Sequence, residues 1–179
     1  MICFQTIYMG KEKEITFYDK KDLVLGLKRV TLRLAREQGD KYEKLRAGDY
    51  FILNIPKEEN QIDDLIGTIL AHWKLSFQSI PPQFLAGEGY KLDLENKMQS
   101  TKQILRDTAR KDLGGYYEMT DESLIHVIVY LPMAEVDRDI LQKSKETPQE
   151  WLARCEEDVF GNNPSYIKLM QESQSSSSE

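Results

Sequence analysis

The sequence predicts an α+β fold built on a curled, mostly antiparallel sheet, and three observations carry that expectation. Strand-like segments of uneven length show a period-two alternation of apolar and polar residues. Helical patterns fall between them without the regular alternation that a parallel βαβ sheet demands. Helical signals then gather beyond Pro132, where the character of the chain changes.

Taken in order, Ile2 to Tyr8 and Glu14 to Tyr18 read as two strands joined by Gly10-Lys-Glu-Lys13, a hairpin pattern. Asp19 suits a helix N-cap ahead of Leu23, Val24, Leu25 and Leu27, and that short helix is expected to stop near Gly26 to Lys28. Val30, Leu32 and Leu34 alternate with Thr31 and Arg33, so this strand turns its apolar side to a core and the other two residues the opposite way. Ala47-Gly48-Asp49 is a turn signal before a strand over Tyr50 to Ile55. Pro56 to Asp64 reads as a charged loop, and Ile66 to Phe77 as a long, bent strand. Ser79-Ile-Pro-Pro82 opens a short helix that ends at Gly87-Glu88-Gly89. Leu94, Met98, Leu105 and Ala109 recur at helical spacing, which predicts an amphipathic helix over Leu92 to Leu113 closed by Gly114-Gly115. Leu124 to Leu131 is the last strong strand.

Val136, Ile140 and Leu141 suggest one further helix, and Thr147-Pro148-Gln149-Glu150 has the capping-box form of another, with Trp151, Leu152, Cys155 and Val159 on its buried face. The run from Gln171 is low in complexity and is expected to be a mobile tail. The predicted organisation is therefore a sheet domain over 1–133, a helical extension over 134–170 packed on it and a flexible Ser-rich tail over 171–179.

Composition narrows the function classes. The 179 residues are 40% apolar and 30% charged, the profile of a soluble globular protein. No apolar run approaches the ~20 residues that span a bilayer, so no membrane role is expected. The start lacks the basic and apolar regions of a secretory signal, and Cys3 and Cys155 stand far apart without His or Cys neighbours at metal spacing. These features predict a reducing, cytoplasmic setting with no disulfide framework, metal or cofactor.

The net charge of −6 is unevenly spread. Lys20 to Arg46 carries nine Lys and Arg against four Asp and Glu, whereas Ala134 to Glu179 carries five against ten. Overall acidity argues against coating nucleic acid non-specifically, while the basic segment suits a local site for something phosphorylated.

Common catalytic signatures are missing: no glycine-rich phosphate loop, no nucleophile elbow, no metal-binding His pair. His72 and His126 each sit in an apolar strand and read as packed, hydrogen-bonded core residues. Trp73 and the tyrosines read as core or barrel wall. What remains is Gly26-Leu-Lys28-Arg29-Val-Thr31-Leu-Arg33, followed by Gly48-Asp49 before a strand and Ala86-Gly87-Glu88-Gly89-Tyr90 closing a short helix. That succession resembles the ASCH domain family of the PUA-like superfamily, RNA-associated β-barrels, and within it most nearly the bacterial 4-acetylcytidine amidohydrolases. The resemblance covers roughly Glu14 to Leu131 and implies a curled β-barrel with flanking helices. It places Lys28, Thr31 and Glu88 on the three catalytic positions of those enzymes, with Gly26, Arg29 and Arg33 beside them for substrate.

The implied reaction removes an acyl group from the exocyclic amine of cytosine. Thr31 would be the nucleophile, which a base must activate. Lys28 serves as that base only when neutral; burial and the like charge of Arg33 favour that state, and Glu88 opposes it. The scheme works best if Glu88 holds a proton for the leaving amine, or if bound substrate separates the two charges. The same residues suit a module that only binds a nucleoside, nucleotide or RNA, with glutamate accepting from a base amino group and the cations meeting phosphate. A ribonuclease would use a lysine and a carboxylate too. A protein partner docking on the C-terminal helices through Trp151 and Phe160 is a further reading, set against their simply packing on the barrel.

Overall fold

The structure is a computed structural model that describes residues 14–16, 28–37, 40–54, 65–88 and 119–176. Within them lie β1 (Glu14–Thr16), β2 (Val30–Leu34), β3 (Tyr50–Asn54), β4 (Leu65–Ser76) and β5 (Leu124–Leu131). The helices are α1 (Pro82–Gly87), α2 (Pro148–Phe160) and α3 (Pro164–Ser176), and short 3₁₀ turns occupy Phe77–Ser79 and Arg138–Ile140. Three predicted segments fall outside these residues: the strand over Ile2–Tyr8, the helix after Asp19 and the helix over Leu92–Leu113. None of the described helices is long and apolar enough to cross a membrane.

The strands form one sheet in the order β1-β3-β4-β5-β2. All neighbours run antiparallel except β1, which lies parallel to β3 with Ile15 opposite Leu53. The predicted class, α+β on a curled and mostly antiparallel sheet, is the one observed, and the curl takes the form of a half-barrel. Its spine is the β4–β5 ladder, whose register slips between Ile69 and Ala71. A bulge of this kind bends and twists the strand that carries it.

Register separates the two faces. Thr31 stands opposite Ile128 and Arg33 opposite His126, while Val30 and Leu32 stand opposite Val129 and Val127. Val30, Leu32, Val127 and Val129 join Phe84, Leu85, Trp151, Leu152 and Phe160 in one helix-packed core. Trp73 stacks on Phe84 with centroids 5.4 Å apart and meets Trp151 edge-on at 5.8 Å. The opposite face holds Thr31, Phe51, Ile69, His126, Ile128 and Tyr130, every one of them fully buried, as the inside of a half-barrel requires.

Helix α2 opens as its sequence predicts. Thr147 accepts from the Glu150 amide, Glu150 reaches back to the Thr147 amide, and Pro148 occupies the first turn. Two other expectations need correcting. The helix predicted around Val136 to Leu141 is a single 3₁₀ turn, because the chain then lies along β4, where the Gln142 amide donates to the Leu70 carbonyl at 2.8 Å. The Ile140 and Leu141 amides close the turn onto the Asp137 and Arg138 carbonyls, and the Gln142 amide leaves it for β4. Past Gln171 the chain stays helical to Ser176, its serines bonding back to the helix: Ser173 Oγ donates to the Leu169 carbonyl and Ser175 Oγ to that of Glu172. Trp151 and Phe160 are both fully buried in the shared core, so a partner docking on these helices would meet other residues.

Candidate functional site

The site grows from the open edge of β2. Helix α1 starts on the Pro81-Pro82 pair, buries Phe84 and Leu85, and closes when the Glu88 amide donates to the Phe84 carbonyl. Gly87 must be glycine at this closure. A Cβ there would lie 2.7 Å from Val30 Cγ2 and 2.8 Å from Phe160 Cε1, so the helix end could not come this close to β2. Gly48 is the other glycine the fold depends on: its φ of 87° turns the chain into β3.

The close approach lays the end of α1 along β2 in place of a further strand. The Arg29 amide donates to the Gly87 carbonyl at 2.8 Å, and the Leu32 amide donates to Glu88 Oε2 at 3.0 Å. Lys28 Nζ reaches Glu88 Oε1 at 2.8 Å. Both oxygens of a buried carboxylate are therefore bonded, one to a cation and one to an edge amide. The Lys28 side chain keeps 21% of its exposure and that of Glu88 only 5%, so the pair is reached from the lysine.

Arg29 precedes β2, and Thr31 and Arg33 lie on it. Arg29 turns one guanidinium nitrogen to the Lys28 carbonyl at 3.2 Å and is partly buried, which pushes its pKa down, against the raising influence of Tyr130. Tyr130 stands across from it on β5, where its amide donates to the Arg29 carbonyl at 3.0 Å. Its ring packs edge-on against Phe51 with centroids 5.6 Å apart. Burial, with the Glu88 carboxylate nearby, holds the Tyr130 phenol well above its ordinary range, so it stays a proton donor.

Burial likewise pushes the Glu88 carboxyl up; Lys28, Arg33 and the Leu32 amide pull the other way without overcoming it. An upward shift is the direction a proton carrier requires. Thr31 is fully buried, and its hydroxyl has no hydrogen-bond partner among the described residues. The predicted nucleophile and its predicted base are thus not in contact here; Lys28 is committed to Glu88 instead.

Of the residues singled out in the sequence, Lys28 and Glu88 meet directly across a separation of 60 positions. Arg29 and Arg33 add positive charge around them, Thr31 lies on the same strand, and Gly26 lies outside the described residues. Sequence reasoning missed Tyr130. Only the β2–β5 register puts it beside Arg29, and an alternating apolar strand gives no sign of which aromatic faces a site.

His72 and His126 are packed and hydrogen-bonded, as their apolar strands predict. His72 Nε2 lies 2.8 Å from His126 Nδ1, and His126 Nε2 lies 2.7 Å from Asp40 Oδ2. Burial lowers the His72 pKa, outweighing the raising effect of its contact with the Leu45 carbonyl.

No protein-family model matches the chain. No curated protein matches it either. Among solved structures it is similar to the crystal structure of an ASCH domain from Lactobacillus crispatus JV V101, at 14% identity and a TM-score of 0.49, covering 66% of this chain and 79% of that one. A likeness this distant carries neither a fold assignment nor an activity across to this protein.

Proposed function

We propose that this protein is an ASCH-type module that binds a nucleoside, a nucleotide or a nucleotide unit of RNA at the Lys28–Glu88 cluster. The observation that carries the reading is a buried carboxylate, half-shielded by a lysine, with two arginines and a protonated tyrosine around it. Three cations about one carboxylate leave an excess of positive charge for a phosphate. A base amino group can take the place of Lys28 on Glu88, because the lysine is the exposed partner and the easier one to displace. Tyr130 supplies a donor for a base carbonyl.

The test is an equilibrium titration with cytidine 5′-monophosphate. Glu88→Gln replaces an acceptor by an amide and is expected to weaken binding by about 1.5–3 kcal/mol, the worth of a hydrogen bond to a charged group. Arg33→Ala should weaken the nucleotide more than the nucleoside. Equal affinity in wild type and both variants would remove the site assignment.

One observation favours chemistry as well as binding: among the described residues the buried Thr31 hydroxyl has no hydrogen-bond partner, and Thr31 lies on the strand whose Leu32 amide donates to Glu88. A proton passed from Lys28 to Glu88 would leave a neutral amine to take the threonine proton as the Thr31 oxygen bonds to the acetyl carbon; Glu88 would give its proton to the leaving cytosine amine as the C–N bond breaks, and water would then hydrolyse the threonine ester to acetate. On that reading wild type releases cytidine from 4-acetylcytidine, and Lys28→Ala, Thr31→Ala and Glu88→Ala each abolish it. Absence of turnover in the wild type leaves binding as the function.

A further inference from the structure

Four residues along β5 from Tyr130, a pair of imidazoles ends on two carboxylates. The Leu45 carbonyl oxygen lies 3.1 Å from His72 Nδ1, His72 Nε2 lies 2.8 Å from His126 Nδ1, and His126 Nε2 lies 2.7 Å from Asp40 Oδ2. A carbonyl can only accept, so His72 Nδ1 carries a hydrogen, and in a neutral ring its Nε2 then accepts. His126 Nδ1 must therefore donate, which leaves its Nε2 presenting a lone pair to a carboxylate. Three contacts need three hydrogens, and two neutral rings bring two. The last gap is short of one cation.

A second carboxylate faces the same gap. Glu43 Oε2 stands 3.9 Å from His126 Nε2, and one ligand atom from each of Asp40, Glu43 and His126 lies within 4.8 Å of the others. We propose that Asp40, Glu43 and His126 form a divalent-cation site, with one imidazole nitrogen and two carboxylate oxygens as ligands and Zn²⁺ as the ion that suits them best. Two carboxylates balance a dication, and three protein ligands leave a fourth position for water.

The supporting contacts are already in place. His72, anchored on Leu45, holds His126 in the tautomer a metal needs, as second partners of ligating histidines do. Asp40 is fixed by the amides of Arg36 and Tyr42, each 3.0 Å from one of its oxygens, and the Tyr42 ring lies against His126. Loading requires two local moves. The 2.7 Å gap must widen to about 3.4 Å, since zinc takes such ligands at about 2.0–2.2 Å in tetrahedral geometry. Lys74 Nζ, now 2.8 Å from Glu43 Oε2, must swing away, and both of those side chains are partly exposed. Lys74 is thus the ion's built-in competitor.

The test is calorimetric titration of the chelator-treated full chain with Zn²⁺, repeated with Co²⁺ to read coordination from its visible absorption. One equivalent is expected to bind. Glu43→Gln should weaken it at least ~10-fold, the lower end of what even outer partners of a metal contribute. Lys74→Met should act in the opposite direction and tighten it. Glu43 and Lys74 are surface residues, so neither change threatens the fold, and adventitious binding elsewhere would answer to neither. No uptake of one equivalent, or uptake indifferent to both substitutions, would overturn the proposal and show that the gap holds a proton, as an ion pair of Asp40 with imidazolium.

Discussion

Glu88 decides what the site can do, and its environment also makes it visible in solution. Burial holds its carboxyl above the ordinary carboxylate range despite Lys28. Over the window just above that range, the folded chain keeps a proton that the unfolded chain has released. Stability must therefore fall as pH rises through the window. Glu88→Gln cannot titrate, so its urea-unfolding free energy should lack that fall, and profiles that run parallel would refute the assignment. Lys28 and Glu88 were readable through the order in which Gly26-Leu-Lys28, Gly48-Asp49 and Ala86-Gly87-Glu88 follow one another, which carries the family resemblance, and not from their residue types alone. Tyr130, and the convergence of Asp40, Glu43, His72 and His126, were not, because these depend on pairings between positions up to 86 apart.

Among the elements, β2 and α1 carry the site, and their contact is the tightest constraint on it. Gly87→Ala places a methyl within 2.7 Å of Val30 and 2.8 Å of Phe160, neither of which can yield without opening the core. Overpacking of this kind costs about 1–3 kcal/mol. The expected result is a lower thermal midpoint together with weaker nucleotide binding, because Glu88 moves with the helix end; a midpoint at or above that of the wild type would contradict the packing argument. Strands β2, β3, β4 and β5 were legible to within a residue or two, since alternation and long apolar runs are strong local signals. The helix predicted over Val136 to Leu141 is cut short by a non-local contact: the next amide, that of Gln142, donates to the Leu70 carbonyl in the bulge of β4. Equally non-local is the parallel pairing of β1 with β3, which a period-two pattern cannot distinguish from an antiparallel one.

For the whole molecule, the sheet and the helices that follow it share buried residues. Trp151, Leu152, Val159 and Phe160 share one core with Val30, Val127 and Val129. Trp151→Ala should cost about 3–5 kcal/mol and lower the cooperative unfolding transition of the entire chain, read by circular dichroism of the sheet and fluorescence of Trp73 together. Two separate transitions would mean that the helices form a unit of their own.

Nucleotide binding at Glu88 is reported directly by the Leu32 amide, which donates to Glu88 Oε2. Titration of ¹⁵N-labelled protein with cytidine 5′-monophosphate should shift the amides of Arg29, Leu32 and Tyr130 saturably and together, and the Leu32 shift should vanish in Glu88→Gln. Saturable shifts confined to other parts of the chain, or none at millimolar nucleotide, would contradict the account.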